Sequence, residues 1–357
     1  MIEEFLKSEK DAIENELVEY FAVLNNSEKE ILLKDFFAYI QEFVLNKKAK
    51  RLHPILLIAA FKGIGNPIHV QNQLDQIRKV SLAVELLHSG YLIYDDLIDN
   101  DLERRNKPTF HIQLKNELNK VFENIELPNK EDTIKMYGRD MSILGGTQGY
   151  LLGLNVIKAS RFSENLKLQA INEYTAAMDS LMKGQIIEEY MNYHNITMSL
   201  EQYLTIAEMQ RASLLEKSAK IGAIFAKGNL HYQIEPLSQA MNLIGQAFAI
   251  RDDIIDIKTD IKARKKKIVY IFAVQNTDED QSKTLNEIYH KEELTKNDVS
   301  TVETIFAETN AVIIAEHFSK NLLSQAKASL KKIYPDLNKD QKIFFNEFSD
   351  FMYMREF

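Results

Sequence analysis

Apolar residues recur every three or four positions along almost the whole chain, as in Val80, Val84, Leu87 and Tyr91, or Ile206, Met209, Leu214 and Ile221. No segment shows the alternation of a half-buried strand. A chain patterned in this way can bury its apolar stripes only by packing helix on helix. Helix breakers are scarce, with 12 Gly and 6 Pro in 357 residues, while Leu, Ile, Lys, Glu and Ala are abundant. The expected fold is therefore all-α. Pro67 opens a segment that reaches Asp99, and Ser199-Leu200-Glu201-Gln202 has the form of a capping box, so both are expected helix starts. Polar interruptions fall near Glu123 to Asp132, Met191 to Ser199, Gly228 to Glu235 and Asn276 to Asn297, and none is a Pro/Gly/Ser linker. The last helices are expected over roughly 298–333 and 338–355. No repeat of solenoid period is present, and the reading is one large helical-bundle domain spanning 1–357.

Composition removes several classes of function. The formal net charge is -8, from 44 Lys and Arg against 52 Asp and Glu, so no global basic field draws the chain to nucleic acid or to an anionic membrane surface. A local basic site is not excluded. With no Cys there is no disulfide, thiolate zinc site or cysteine nucleophile, which fits a reducing compartment. The start, Met1-Ile2-Glu3-Glu4-Phe5-Leu6-Lys7, is acidic and lacks the apolar core of a signal peptide, and the longest apolar run, Ile55 to Phe61, is far short of a bilayer span. A cytoplasmic protein with no integral membrane segment is expected.

Two acidic segments carry the chemistry. Tyr94-Asp95-Asp96-Leu97-Ile98-Asp99 ends an apolar helical stretch with carboxylates at i, i+1 and i+4, which puts Asp95 and Asp99 on one face. Taken alone, such a cluster reads as a solvated helix end. The spacing recurs, however, in Asp252-Asp253-Ile254-Ile255-Asp256, again behind an apolar run. Like charges stacked one turn apart destabilise a helix unless cations offset them. Oxygen ligands without His or Cys suit Mg²⁺, which binds through a few carboxylates together with phosphate oxygens. Basic residues stand close by, Arg104 and Arg105 after the first cluster and Lys265, Lys266 and Lys267 after the second. The lysine run also reads as a solvated face, whereas the arginine pair has forks suited to phosphate.

At these residues the chain resembles the trans-type isoprenyl diphosphate synthases, the family of farnesyl and geranylgeranyl diphosphate synthases. The likeness covers nearly the whole chain and is carried by Glu85-Leu86-Leu87-His88, Asp95-Asp96-Leu97-Ile98-Asp99-Asn100, Arg104-Arg105-Asn106-Lys107-Pro108-Thr109 and Asp252-Asp253-Ile254-Ile255-Asp256, in that order. The resemblance implies a helical bundle of isoprenoid synthase type around a central cavity, and a homodimer. It implies that Asp95, Asp99, Asp252 and Asp256 are Mg²⁺ ligands converging on one allylic diphosphate, with Asp96 and Asp253 as supporting acids. Arg104 resembles the arginine that grips the allylic diphosphate, and Lys50, His88 and Arg105 match positions that hold isopentenyl diphosphate. In Ala49-Lys50-Arg51-Leu52-His53-Pro54, His53 stands where the family has arginine, so either His53 or Arg51 supplies that charge. Gly184-Gln185-Ile186-Ile187-Glu188 resembles an element facing the site, although it also reads as a polar patch on a helix. Lys265 resembles the diphosphate lysine after the second motif, and the loop before it is shorter than in the family, so that the other lysine is Lys258 or missing.

Other positions depart from the family pattern. Gln210-Arg211 replaces a Lys-Thr pair, leaving Arg211 as a long cation that could reach a phosphate; Phe248-Ala249 replaces Phe-Gln, Gly146-Thr147 replaces Gly-Asp, and His111 to Tyr137 includes extra length. The implied reaction joins isopentenyl diphosphate to an allylic diphosphate. Tyr91, one turn before Asp95 and about 6 Å deeper at 1.5 Å per residue, is the candidate floor of the product tunnel, with the small Gly90 beside it; core packing is the other reading of Tyr91. A farnesyl or geranylgeranyl product is expected. Two alternatives share the acids: a class I terpene synthase, against which the repeated second motif argues, and a catalytically impaired partner subunit, which the changes at His53, Gln210 and Ala249 would suit.

Overall fold

In the computed structural model, which describes residues 2–354, helices account for almost all regular structure, as the periodicity requires. The far ends of the expected domain and of the helix drawn to 355 lie outside the described residues. The chain forms two compact units, residues 1–178 with 221–228, and residues 179–220 with 229–357.

The first unit contains α1 (Ile2–Ser27), α2 (Ile31–Val44), α3 (Leu52–Ile64), α4 (Pro67–Ile98), α5 (Phe110–Val121), α6 (Lys130–Ala159) and the first half of α7 (Glu164–Tyr193). Between α4 and α5 lies a two-residue hairpin, β1 (Glu103–Arg104) and β2 (Lys107–Pro108), the one sheet among the described residues. It carries the expected pair Arg104-Arg105 from its first strand into its turn. The start of α4 follows the local signals: Asn66 caps Ile68 N at 2.9 Å and Pro67 occupies the first turn, where its missing N–H has no helical partner to lose. The helix is then buried almost without interruption from Val80 to Ile93 and packs against α1, α3 and α6. The apolar run Ile55 to Phe61 forms the buried body of α3. Close approach of α4 and α6 depends on glycine, because a Cβ at residue 149 would stand 2.8 Å from the Gly90 Cα.

The second unit contains the rest of α7, then α8 (Leu200–Ala207), α9 (Ser213–Phe225, its end belonging to the first unit), α10 (Glu235–Ile255), α11 (Ile257–Lys262), α12 (Ile268–Asn276), α13 (Glu279–Tyr289), α14 (Lys296–Glu308), α15 (Ala311–Leu330) and α16 (Lys339–Met354), with π-helical turns at Glu208–Ala212 and Leu230–Ile234. The capping box at Ser199 is present as expected, with Gln202 N donating to Ser199 Oγ at 3.1 Å. The core centres on α10 and α15, tied by Ser319 Oγ donating to the Ala247 carbonyl at 2.9 Å.

Two expectations change here. The helix drawn over 298–333 is divided, because Thr309 caps α14 and Asn310 turns left-handed at φ 53° before α15 begins; Asn tolerates that conformation better than most residues. The interruption at 276–297 contains α13, nucleated by the Asp278–Gln281 capping box. No helix among the described residues is long and apolar enough to cross a membrane.

Candidate active site

In the first unit, α4 delivers Asp95, Asp96 and Asp99 at its carboxyl end, where the helix dipole is already negative and the last turn holds no basic residue. Three carboxylates at that pole need a cation, and the hairpin returns one. Arg105 and Asn106 take φ of 55° and 61°, a two-residue reversal that sets Arg104 opposite Lys107. Arg104 then donates from Nε to Asp96 Oδ1 at 2.5 Å and from Nη2 to Asp95 Oδ2 at 3.0 Å. Asp96 is fully buried; burial lifts its carboxyl to about 7 in spite of Arg104, and its Oδ2 has no hydrogen-bond partner. Asp95 is half-buried and Asp99 exposed. The middle acid is thus anchored while its neighbours one turn apart face outward.

Behind this cluster lie the residues expected to hold the second diphosphate. Arg51, left-handed at φ 57° just before α3, has a fully buried side chain that donates to Glu14 Oε1 at 2.7 Å, to the Val44 carbonyl at 2.6 Å and to Glu85. Its guanidinium is occupied by the scaffold, whereas His53 is half-buried beside His88. The His53 and His88 rings lie 4.4 Å apart, and their nitrogens and the Glu85 carboxylate come within 4.8 Å of one another. Burial lowers the His53 imidazole to about 4 against the pull of Glu85, and burial also lowers His88, assisted by His53 and Arg105. Burial lowers Arg105 as well, with Glu85 opposing, and no carboxylate among the described residues forms an ion pair with it. Arg104 and Arg105 also line a cavity of about 340 Å³ with Tyr39, Glu42, Lys107 and Asn116. Lys50 is exposed.

Tyr91 is buried one turn below Asp95. The space beside Gly90 is filled by α6, since a Cβ there would meet the Gly146 carbonyl at 2.7 Å and the Tyr150 ring at 3.0 Å. Gly146 has a similar use, as Tyr94 lies over it and contacts Thr147 Oγ1 at 2.6 Å.

In the second unit α10 repeats the construction. It ends in Asp252, Asp253 and Asp256 with no basic residue in its last turn. Asp253 accepts the Tyr203 hydroxyl at 2.6 Å, and burial raises its carboxyl, with Lys267 and Tyr203 opposing. Asp252 is half-buried and Asp256 exposed. The Gln210 amide donates to Glu188 Oε2 at 2.8 Å and to Gln185 Oε1 at 3.2 Å, and Lys267 forms an ion pair with Glu188. Burial disfavours both charges of that pair, yet each outweighs the penalty on the other, leaving Glu188 below and Lys267 above their ordinary ranges. The interior cation of the lysine run is therefore Lys267. Lys265 is exposed; Lys258 is exposed too, 3.4 Å from Glu303, and Arg211 is exposed on the first π-helical turn. Sequence reasoning named the run Lys265, Lys266 and Lys267, singled out Lys265 for the diphosphate, and passed over Tyr203. Nothing local separates three consecutive lysines, although the capping box does fix Tyr203 in the first turn of α8.

Both acidic helix ends consequently have one design: a middle acid, buried at Asp96 and half-buried at Asp253, held by a donor from another element, Arg104 or Tyr203, between a half-buried first acid and an exposed last one. An all-oxygen donor set at a carboxylate-repelling pole fits a hard divalent cation and gives a soft one no preferred ligand.

Residues 34–308 match the polyprenyl synthetase family, and the chain belongs to that family of prenyltransferases. It is similar to the short chain isoprenyl diphosphate synthase of Methanocaldococcus jannaschii, 30% identical over 251 residues that cover 67% of this chain and 66%, just under two thirds, of that one. It is also similar to the farnesyl diphosphate synthase of Geobacillus stearothermophilus, 28% identical over 72% of this chain and 76% of the relative. In fold it matches the geranylgeranyl pyrophosphate synthase of Corynebacterium glutamicum, whose crystal structure is complexed with isoprenyl diphosphate and magnesium, with a TM-score of 0.85, 20% identity and coverage of 98% and 99% of the two chains.

Proposed function

We propose that this protein condenses isopentenyl diphosphate with an allylic diphosphate to give a short-chain product, farnesyl or geranylgeranyl diphosphate. The observation that carries the reading is the matched construction of the two aspartate helix ends, supported by membership of a prenyltransferase family. In this reading Asp95 and Asp99, with Asp252 and Asp256, hold Mg²⁺ against the allylic diphosphate. Bound there, the metal supplies positive charge to the diphosphate oxygens as the allylic C–O bond breaks.

The chain's own residues do the rest. Arg104 exchanges its grip on Asp95 for the allylic diphosphate, and Lys267, Lys265 and Arg211 add positive charge on the side of the second motif. Glu188, Gln185 and Gln210 orient Lys267 through the contacts described above. Arg105, with no carboxylate partner of its own, binds isopentenyl diphosphate together with Lys50, His88 and His53. The isopentenyl double bond forms the new C–C bond at the allylic carbon, and the proton then lost goes to the departing diphosphate, because no side chain among the described residues of the site stands out as a general base. Tyr91 floors the tunnel for the growing chain, with Gly90 setting how closely α6 approaches it.

A single functional domain, a homodimer and a cytoplasmic location complete the proposal. They are supported by family membership, by the absence of Cys and by the lack of a membrane-crossing helix among the described residues. Purified protein with Mg²⁺, labelled isopentenyl diphosphate and a panel of allylic primers tests it. Label should enter a prenyl diphosphate only when a primer is present. Hydrocarbon formed from the allylic diphosphate alone would identify a terpene synthase instead, and no product with any primer would leave the impaired-subunit reading.

A further inference from the structure

We propose that His53, Glu85 and His88 form a binding site for a borderline-soft divalent transition ion, best filled by Zn²⁺. The site lies wholly in the first unit and differs in chemistry from the all-oxygen aspartate clusters. Glu85 and His88 are three residues apart on α4 and so share a face, and His53 comes from the first turn of α3, which packs on α4. Glutamate and histidine at this spacing are a recurring way for a helix to present metal ligands.

Three observations point to a ligand. The imidazole nitrogens and the carboxylate converge to within 4.8 Å without a hydrogen bond joining them. Glu85 is 1% exposed, and while its Oε1 accepts from Arg51, its Oε2 is buried with no hydrogen-bond partner at all. A buried carboxylate oxygen left in that state costs about 1–3 kcal/mol unless something binds it. The two imidazole rings lie 4.4 Å apart, close enough for one nitrogen of each to reach a shared ion.

The geometry needs little change. Tetrahedral zinc with bonds of about 2.0–2.1 Å separates its ligand atoms by roughly 3.3 Å, so closure from 4.8 Å is a side-chain adjustment. Of the guanidinium groups nearby, Arg51 is paired with Glu14 and Glu85 and Arg104 with Asp95 and Asp96, which leaves the charge of Arg105 to oppose the ion. Two histidines and one glutamate, with a water or substrate oxygen in the fourth place, is an established zinc donor set, whereas Mg²⁺ has no preference for imidazole.

Occupancy would also withdraw His53 and His88 from isopentenyl diphosphate, making Zn²⁺ compete with that substrate. This consequence rests on the substrate assignment above; the metal site does not.

Equilibrium dialysis of the full chain with Zn²⁺ in millimolar Mg²⁺, without substrates, tests the site directly. One tight equivalent per chain is expected, weakened tenfold or more in His53→Ala and in His88→Ala. His88→Gln, which keeps the side chain's bulk, should lose the ion while melting like the parent, and Co²⁺ in place of Zn²⁺ should give the visible bands of four-coordinate cobalt only when both histidines are present. Absence of a tight equivalent, or the same affinity in the variants, overturns the proposal. If the ion binds as expected but the protein makes no prenyl product, the functional reading fails and this site stands.

Discussion

Replacing Asp96 with Asn should flatten the pH dependence of stability. Burial lifts the Asp96 carboxyl from 3.8 to about 7 in the folded chain. At about 1.4 kcal/mol for each pH unit of separation between folded and unfolded states, ionising it in the fold costs about 4 kcal/mol. Between those pH values the folded protein keeps the proton that the unfolded chain has released, so this contribution weakens the fold as pH rises from about 4 and levels off above about 7. From pH 5 to pH 8 the loss due to Asp96 is about 3 kcal/mol. Asp260, also lifted to about 7 by burial and by Asp253, acts in the same direction, so the parent curve should be steeper still. Urea unfolding of the parent and of Asp96→Asn at pH 5, 6, 7 and 8 in chelator isolates the share of Asp96. The two stability curves should diverge by about 3 kcal/mol across that range, the variant losing less. Parallel curves would refute the claim that Asp96 is a buried anchor that resists ionisation.

Lys267→Met should destabilise by about 1–3 kcal/mol, because it strands the half-buried Glu188 charge, and adding Glu188→Gln should restore most of that loss in urea unfolding; Lys265→Met should shift stability by less than about 0.5 kcal/mol. Gly90→Ala should cost about 1–3 kcal/mol through the clash with α6, read as a lower melting temperature. Tyr91→Ala should lengthen the prenyl product seen by chromatography, and an unchanged product distribution would remove its role as the tunnel floor.

The acidic helix ends were legible because their signal is local: an apolar helical run that stops in carboxylates one turn apart needs no tertiary information. The starts of α4 and α8 were legible for the same reason, since Pro67 and the Ser199–Gln202 box act within one turn. Features set by packing were not. Arg51 and His53 are near neighbours in sequence, and only the left-handed turn at Arg51 sends one into an ion-pair network and leaves the other beside His88. Lys267 differs from Lys265 through its partner, Glu188, which lies 79 positions away. The break at Asn310 rests on one residue's tolerance of left-handed backbone, too weak a cue to interrupt a continuing apolar stripe. The smallness of Gly90 was plain in sequence, but its use, the close approach of α6, was not.

Whether the acids near positions 95 and 252 act as one metal-assembled binding centre is best measured by Mg²⁺-dependent binding of a non-reacting allylic diphosphate analogue to the parent, Asp95→Ala, Asp252→Ala and the double variant. A shared centre predicts that either substitution alone abolishes most of the Mg²⁺-dependent affinity and that the second adds little. Losses that simply add, or a variant that binds like the parent, would contradict the account.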